Sequence, residues 1–576
     1  MPVSLVVRPG VDSTFLAWRA DYIADCRGFA LARRIKRAPG SAPSPTAEAP
    51  DADGFSIEWV SSWVGFAGGA AEPPGTRKPT TEWPIQKYVW SDFMVSAGDQ
   101  VAYQVTPVVG DGLALDNAEA SPWTPTVAIG AGTADGISCY FNRGIVASQW
   151  LARQLPEANR DQSLRDIIGT PGNAIRNFLG GPIRDKLLDL LTQTNKAGGH
   201  IYAALFELDD PELIPLLQAF GARAHVVLAN GSVKHKGDDE NSDARAKIRM
   251  CDVHDRMTAP RALAHNKFLV ICDQHRTPQS VWTGSTNWTM TGLCTQSNNA
   301  LLVDDAALAQ DYLDQWNTLA GSGDDSPPSL FTEDGTARTV HGMDGLTLWF
   351  TPMHGQLDLD QAGELIAGAK EGILFLMFNP GPRGTLFNDI ADLATPGSTK
   401  YDPSLYIQGV LNQNPGTAKN PVTLFNRSQK IDTNEDVVLP ANIEHPFAFW
   451  SDELLKLSRT FAMVHSKVVV IDPYGDHPVV MTGSHNMGPK ASGVNDENLL
   501  IIENNGTLAS QYAGHIMQVY SQYRWRQSVQ AEGGHPGWQG LAANDRWQIG
   551  APGSNPDDNQ RRTNELDFWF GTPVAG

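Results

Sequence analysis

Two histidines far apart in the chain begin the same short pattern. His265-Asn266-Lys267 runs into the apolar stretch Phe268 to Ile271, then Cys272-Asp273, and later Gly284-Ser285-Thr286-Asn287. His465-Ser466-Lys467 runs into Val468 to Ile471, then Asp472, and later Gly483-Ser484-His485-Asn486. The doubled set supplies two imidazoles, two ammonium groups and two amides to one site built from two halves. That is equipment for cleaving a phosphodiester. Lysine and asparagine donors can neutralise the non-bridging oxygens without a metal. A neutral imidazole can attack phosphorus and form a covalent phosphohistidine. A second, protonated imidazole can give the leaving oxygen its proton and then take one from water.

The elements around the motifs repeat as well. On a strand, residues i and i+2 share a face, so the histidine and lysine of each motif are expected to project together. The apolar runs behind them suit strands buried on both faces. Strand-like Gly136 to Phe141, helical Asp185 to Thr192 and strand-like His200 to Leu205 precede the first motif. Gly345 to Phe350, Ala362 to Ala369 and Gly372 to Phe378 precede the second. Each half closes with a strand, Asn299 to Val303 or Glu497 to Ile501, and a helix, Ala306 to Trp316 or Leu508 to Tyr523. Extra residues near 143–182 and 395–455 are read as loop insertions, and Gly321 to Pro328 as the linker.

Residues 1–130 differ. Short β-type runs at Thr14 to Trp18, Gly28 to Ala32, Tyr88 to Trp90 and Gln100 to Val105 alternate with turns, which predicts a small β-sandwich. Ala38 to Gly54 reads as a long disordered loop. Trp18, the Tyr103-x-Val105 strand and Pro122-Trp123-Thr124-Pro125 resemble a fibronectin type III-like module.

The paired motifs resemble the phospholipase D superfamily, whose signature is H-x-K-x4-D with a downstream G-S-x-N, usually present twice. The resemblance covers roughly residues 131–576. It implies an α/β fold of two pseudo-symmetric phospholipase D-like halves, mixed sheets flanked by helices, packed around one site behind the β-sandwich. The expected domains are 1–130, 131–325 and 336–576. The resemblance further implies that His265 is the nucleophile and His465 the general acid/base. Lys267, Lys467, Asn287 and Asn486 would bind the phosphate, supported by Ser285 and Ser484. Glu497 stands where the family places an acid that orients the catalytic histidine, and is read as the partner of His465. The matching position in the first half is Asn298 or Asn299. Asp472 completes the second motif. Cys272 replaces that residue in the first, with Asp273 one place later, and these aspartates are expected to be structural.

Composition narrows the substrate. The formal net charge of −20 disfavours broad nucleic-acid binding and docking to an anionic membrane, except where basic groups converge. A phospholipid head group is therefore the favoured phosphodiester, with transient membrane-surface contact. DNA or RNA is the alternative, and a non-catalytic surface-binding protein with a residual site the second. No cofactor and no metal are expected. The five cysteines are odd in number and lack a C-x-x-C pair, so they are read as free thiols. The N-terminal residues do not read as a secretory signal, and no apolar run reaches the roughly 18 residues of a spanning helix. A cytoplasmic monomer is the expectation, with export by a route lacking a cleaved signal left open. Lys234-His235-Lys236 and His354 are read as loop residues, and Trp525, Trp538, Trp547 and Trp569 as packing against the second half.

Overall fold

The strand Lys267–Cys272 lies in the middle of a seven-stranded mixed sheet. The spatial order is Ile137–Phe141, Asn299–Val303, Pro278–Gly284, Lys267–Cys272, His200–Leu205, Ala224–Ala229, Asp252–Arg256. A second sheet surrounds Lys467–Ile471. Its order is Arg338–Thr339, Leu346–Thr351, Glu497–Glu503, Val479–Gly483, Lys467–Ile471, Gly372–Met377, Tyr406–Leu411, Val437–Val438. From Ile137–Phe141 and Leu346–Thr351 onward, the two orders correspond strand for strand. In both sheets the motif strand runs antiparallel to its two neighbours.

The computed structural model describes residues 2–39, 48–70, 72–73, 75–132, 135–144, 155, 160–339, 345–412, 437–438, 463–531, 540–548 and 564–571. Parts of the expected loop at 38–54 and of the insertions at 143–182 and 395–455 lie outside these residues, as do Trp538 and the Trp525 side chain. The chain forms two units. One is Gly132–Pro403 with Ile407–Gly534; the other is Met1–Ala131 with Ser404–Tyr406 and His535–Gly576.

Both motif strands are buried on both faces, which explains their unbroken apolar runs. Leu269 and Ile271 share a core with Leu187 and Leu191 of the helix Ala174–Lys196. On the other face Phe268 meets Tyr312 of the helix Ala306–Ser322, with ring centroids 5.0 Å apart. Tyr312 in turn meets Phe350 of the second sheet at 5.0 Å. Each such fully buried side chain contributes roughly 1.5–3 kcal/mol. Arg256 ties the halves together. Its guanidinium bonds Asp496 at 2.8 and 3.1 Å and the carbonyls of Gly323 and Asp325 between the halves. Among the described residues no helix is long and apolar enough to cross a membrane.

Among the described residues up to 131 there are two larger antiparallel sheets and a two-stranded one, Ser61–Ser62 with Lys78–Pro79. Ser4–Pro9, Thr14–Arg19 and Val89–Asp92 form one; Val127–Ala128, Gln100–Val109, Cys26–Lys36 and Ser56–Trp59 are the path of the other. Leu16 and Trp18 of the first share a core with Phe29, Leu31, Tyr103 and Val105 of the second. The C-terminal tryptophans correct the sequence expectation, because two of them pack here. Trp547 donates its Nε1–H to the Cys26 carbonyl at 3.0 Å and meets Phe29 at 5.7 Å. Trp569 lies 4.1 Å from Phe15. Leu541 also exchanges backbone bonds with Gly65 and Ala67, 2.9 Å each, so chain ends remote in sequence share one unit.

Candidate active site

Each histidine sits just before its strand, and its lysine begins the strand. Lys267 donates its Nζ–H to the His265 carbonyl at 2.7 Å, and Lys467 does the same to His465 at 2.7 Å. Each pair rests on a phenylalanine that directly follows the neighbouring strand. Phe206 lies 4.8 Å from the His265 ring and 4.8 Å from Lys267 Nζ. Phe378 lies 4.7 Å from the His465 ring and 4.9 Å from Lys467 Nζ. The aromatic faces favour the ammonium charges electrostatically. Sequence reasoning did not single out these two residues. Their signal was the shared place directly after corresponding strands.

The histidine backbones are anchored across the halves. The N–H of His265 donates to the Asp496 carbonyl at 2.9 Å, and that of His465 to the Ser297 carbonyl at 2.9 Å. Their side-chain partners cross as well, which overturns the sequence pairing. Glu497 Oε2 lies 3.2 Å from Nδ1 of His265, not beside His465. His465 Nδ1 instead bonds Asn298 Oδ1 at 2.9 Å. Each acid or amide stands at the start of an interior strand of its own sheet, and that strand end meets the histidine of the opposite half. Gly284 pairs with Ala300 and Gly483 with Leu499, so Asn298 is the counterpart of Glu497. Asn298 donates its amide N–H to the Gly292 carbonyl at 2.8 Å, which turns Oδ1 toward His465. Nδ1 of His465 therefore carries the hydrogen, and Nε2 is left bare.

Asn299 does not orient a histidine. Its amide donates to Thr482 Oγ1 at 2.8 Å and to Tyr512 at 3.1 Å. Asn498 makes the mirrored set, accepting from Thr283 at 2.9 Å and Tyr312 at 3.2 Å. Ser285 and Ser484 are fully buried and bonded to protein. Ser285 donates to Asn298 Oδ1 at 2.7 Å, and Ser484 accepts from the Asn498 N–H at 3.0 Å. They position the site rather than line it. The motif glycines serve close approach. A Cβ on Gly284 would sit 2.4 Å from the Asn299 carbonyl, and one on Gly483 2.3 Å from that of Asn498. Both have φ in the region only glycine tolerates, 144° and 149°.

Asp472 and Asp273 have different duties. Asp472 accepts the backbone N–H groups of Lys370, Glu371 and Gly372 at 2.7, 2.7 and 2.8 Å, fixing the start of the neighbouring strand. Asp273 only closes its own turn, accepting from His275 at 2.7 Å and Thr277 at 2.9 Å. Cys272 stands in Asp472's place as a buried thiol that burial pushes up to about 12. Lys234-His235-Lys236 is exposed, and His354 lies exposed against Phe331 at 5.0 Å.

Burial sets the electrostatics. It drives His265 down to about 4; Lys267 adds to the effect and Glu497 opposes it. His465 falls well below its usual value through burial and the charges of Lys467 and Lys267. Burial lowers Lys267 to about 7 against the pull of Glu497 and Glu207, and lowers Lys467 strongly too. Burial alone would raise Glu497, but the His265 imidazole holds it down at about 2. Each histidine and lysine thus feels charges from both halves, so the two motifs converge. Asn287 donates its amide N–H to Glu207 at 2.7 Å, a contact absent from the sequence reading.

Residues 190–319 and 442–520 match the family model described as "Cardiolipin synthase, PLD-like domain". These two segments are similar to a phospholipase D-like domain. Over 130 residues it is 28% identical to a "Phospholipase D" of Rickettsia conorii, a match that spans 22% of this chain and 60% of that relative. The phosphatidylserine synthase of Haemophilus influenzae Rd KW20 is 12% identical, with a TM-score of 0.39, covering 61% of this chain and 91% of that one. Yeast tyrosyl-DNA phosphodiesterase is 12% identical, with a TM-score of 0.31, covering 56% and 88%. Both histidines, both lysines, Asn287, Asn486, Asn298, Glu497 and Phe206 lie inside the matched segments, and Phe378 lies outside them.

Proposed function

We propose that this protein is a phosphodiesterase of phospholipase D type, cleaving a phospholipid head group through a covalent phosphohistidine. One observation carries the reading: two His-Lys pairs, each on a phenylalanine floor, receive their Nδ1 partners from the opposite half. His465 Nδ1 is hydrogen-bonded and His265 Nδ1 has a carboxylate 3.2 Å away, which leaves Nε2 of each imidazole for the chemistry.

His265 is the nucleophile. Glu497 at its Nδ1 raises the electron density at Nε2 and compensates the charge that develops when the ring is phosphorylated. Nε2 attacks phosphorus, the P–O bond to the leaving alcohol breaks, and His465 Nε2–H protonates the departing oxygen. His465 then takes a proton from water, whose oxygen attacks phosphorus and returns His265 to its neutral state. His465 is neutral in the resting site with Nε2 bare; the bound phosphodiester anion raises its proton affinity, so Nε2 takes from solvent, as substrate binds, the proton it then delivers. Lys267, Lys467 and Asn486 donate to the non-bridging oxygens.

The net charge of −20 favours a small head-group phosphodiester over a long polyanion. The strand pairing of the N-terminal residues supports a fibronectin type III-like module as an accessory to this activity: the first two strands and Val89–Asp92 form one sheet, and Cys26–Lys36 lies between Ser56–Trp59 and Gln100–Val109 in the other. A paired assay of phosphatidylcholine vesicles and single-stranded DNA at matched low salt tests the substrate class. Faster turnover of the lipid is expected. Turnover of DNA alone would replace the lipid reading by a nuclease, and turnover of neither, nor of a bis-aryl phosphodiester, would leave a surface-binding protein.

A further inference from the structure

The two sides of the site differ at one position. Phe206 and Phe378 occupy corresponding places under the two His-Lys pairs, and the next residues are Glu207 and Asn379. Asn379 is neutral and exposed. Glu207 is partly buried and accepts the amide N–H of Asn287, the motif residue expected to donate to phosphate. The other end of that amide, Asn287 Oδ1, is buried without a partner, and the side chain is 4% exposed. Asn486 Oδ1 is buried without a partner as well, so the two sides differ in Glu207 rather than in the amide oxygens.

The remaining charges sharpen the contrast. Lys267 and Lys467 bring the positive charge, and both feel Glu207. Glu497 is committed to His265 and to the Asn495 amide at 2.9 Å. Glu207, bonded to the motif amide rather than to a histidine, is a carboxylate on the first-half side with no counterpart at Asn379; burial raises its pKa, and Lys267 opposes that shift. A phosphodiester has one charge and an esterified oxygen that can lie against acceptors. A phosphomonoester has a second charge and one esterified oxygen fewer, and a like charge a few ångströms away opposes that second charge.

We propose that Glu207 is a specificity-determining residue that admits the singly charged phosphodiester and excludes the doubly charged phosphomonoester, including the product. This rests on the phosphodiesterase reading for its meaning, but it concerns binding and is tested without turnover. Calorimetric titration compares dimethyl phosphate with inorganic phosphate at a pH where the latter is doubly charged. The wild-type chain binds dimethyl phosphate more tightly. Glu207→Gln gains roughly tenfold in affinity for inorganic phosphate and less than about threefold for dimethyl phosphate. Glu207→Asp, which keeps the charge, retains the wild-type preference. Wild-type preference for inorganic phosphate, or equal gains for both ligands in Glu207→Gln, overturns the proposal. Should Glu207→Gln fail to fold, the wild-type and Glu207→Asp preferences decide it. A chain that shows this selectivity yet hydrolyses no phosphodiester would retain the binding assignment and lose the catalytic one.

Discussion

Glu497 of the second half lies 3.2 Å from Nδ1 of His265 of the first. The first histidine thus has a carboxylate partner, while His465 has only the Asn298 amide. Crossed support means that neither half holds a complete site, and the inter-half contacts are part of the chemistry.

Glu497→Gln keeps the shape of the contact and removes its charge. The expected result is a fall in kcat of roughly 10²–10³-fold with a smaller change in KM. Steady-state kinetics on bis(p-nitrophenyl) phosphate read it. An equal loss confined to KM would mean that Glu497 serves ground-state binding instead.

Asn298→Asp gives His465 a carboxylate. This raises the imidazolium's pKa, so the protonated form needed in the first step persists to higher pH. The basic limb of the kcat profile is expected to move upward by about one pH unit. An unmoved limb, in a variant that melts like the wild type, would remove His465 from the acid role.

The buried histidines make stability pH-dependent. His265 is lowered to about 4 and His515, by burial, to about 3, against 6.5 for the ordinary side chain. Below 6.5 the unfolded chain takes protons that the native chain refuses. Stability therefore falls as pH drops, and continues to fall until the native values are reached. Each such group costs up to about 1.4 kcal/mol per pH unit in that window. His515 stacks on Phe141 at 3.9 Å with Nε2 unpartnered. His515→Phe is expected to reduce the drop in Tm between pH 7 and roughly pH 5. An unchanged drop would place the acid sensitivity elsewhere.

Asp472→Ala leaves three strand-initiating N–H groups without their acceptor. A loss of about 2–4 kcal/mol is expected in denaturant titration, against less than about 1 kcal/mol for Asp273→Ala. Similar losses for the two would contradict their different duties.

Much of this was legible in the chain. The unbroken apolar runs Phe268 to Ile271 and Val468 to Ile471 announced strands covered on both faces, and the strand His200–Leu205 fell where its pattern placed it. The doubled spacing pointed to one convergent site. What sequence hid was pairing across halves. Glu497 stands in the same half as His465, and proximity in sequence suggested the wrong imidazole. Only the meeting of its strand end with the opposite half reveals which histidine faces it. Phe206 and Phe378 were hidden for another reason: an apolar residue directly following a buried strand looks like more core. Trp547 and Trp569 were misplaced because nothing local in a C-terminal segment tells which distant sheet it will cover.

The central claim is that His265 is the nucleophile and His465 the acid/base. His465→Asn can form the phosphohistidine from a substrate with a good leaving group, but cannot activate water to release it. Acid-avoiding quench of that variant on bis(p-nitrophenyl) phosphate, followed by peptide mass mapping, should find the adduct on His265, and His265→Asn should form none. An adduct on His465 in the His265→Asn variant, or turnover by His265→Asn at the wild-type rate, would contradict the account.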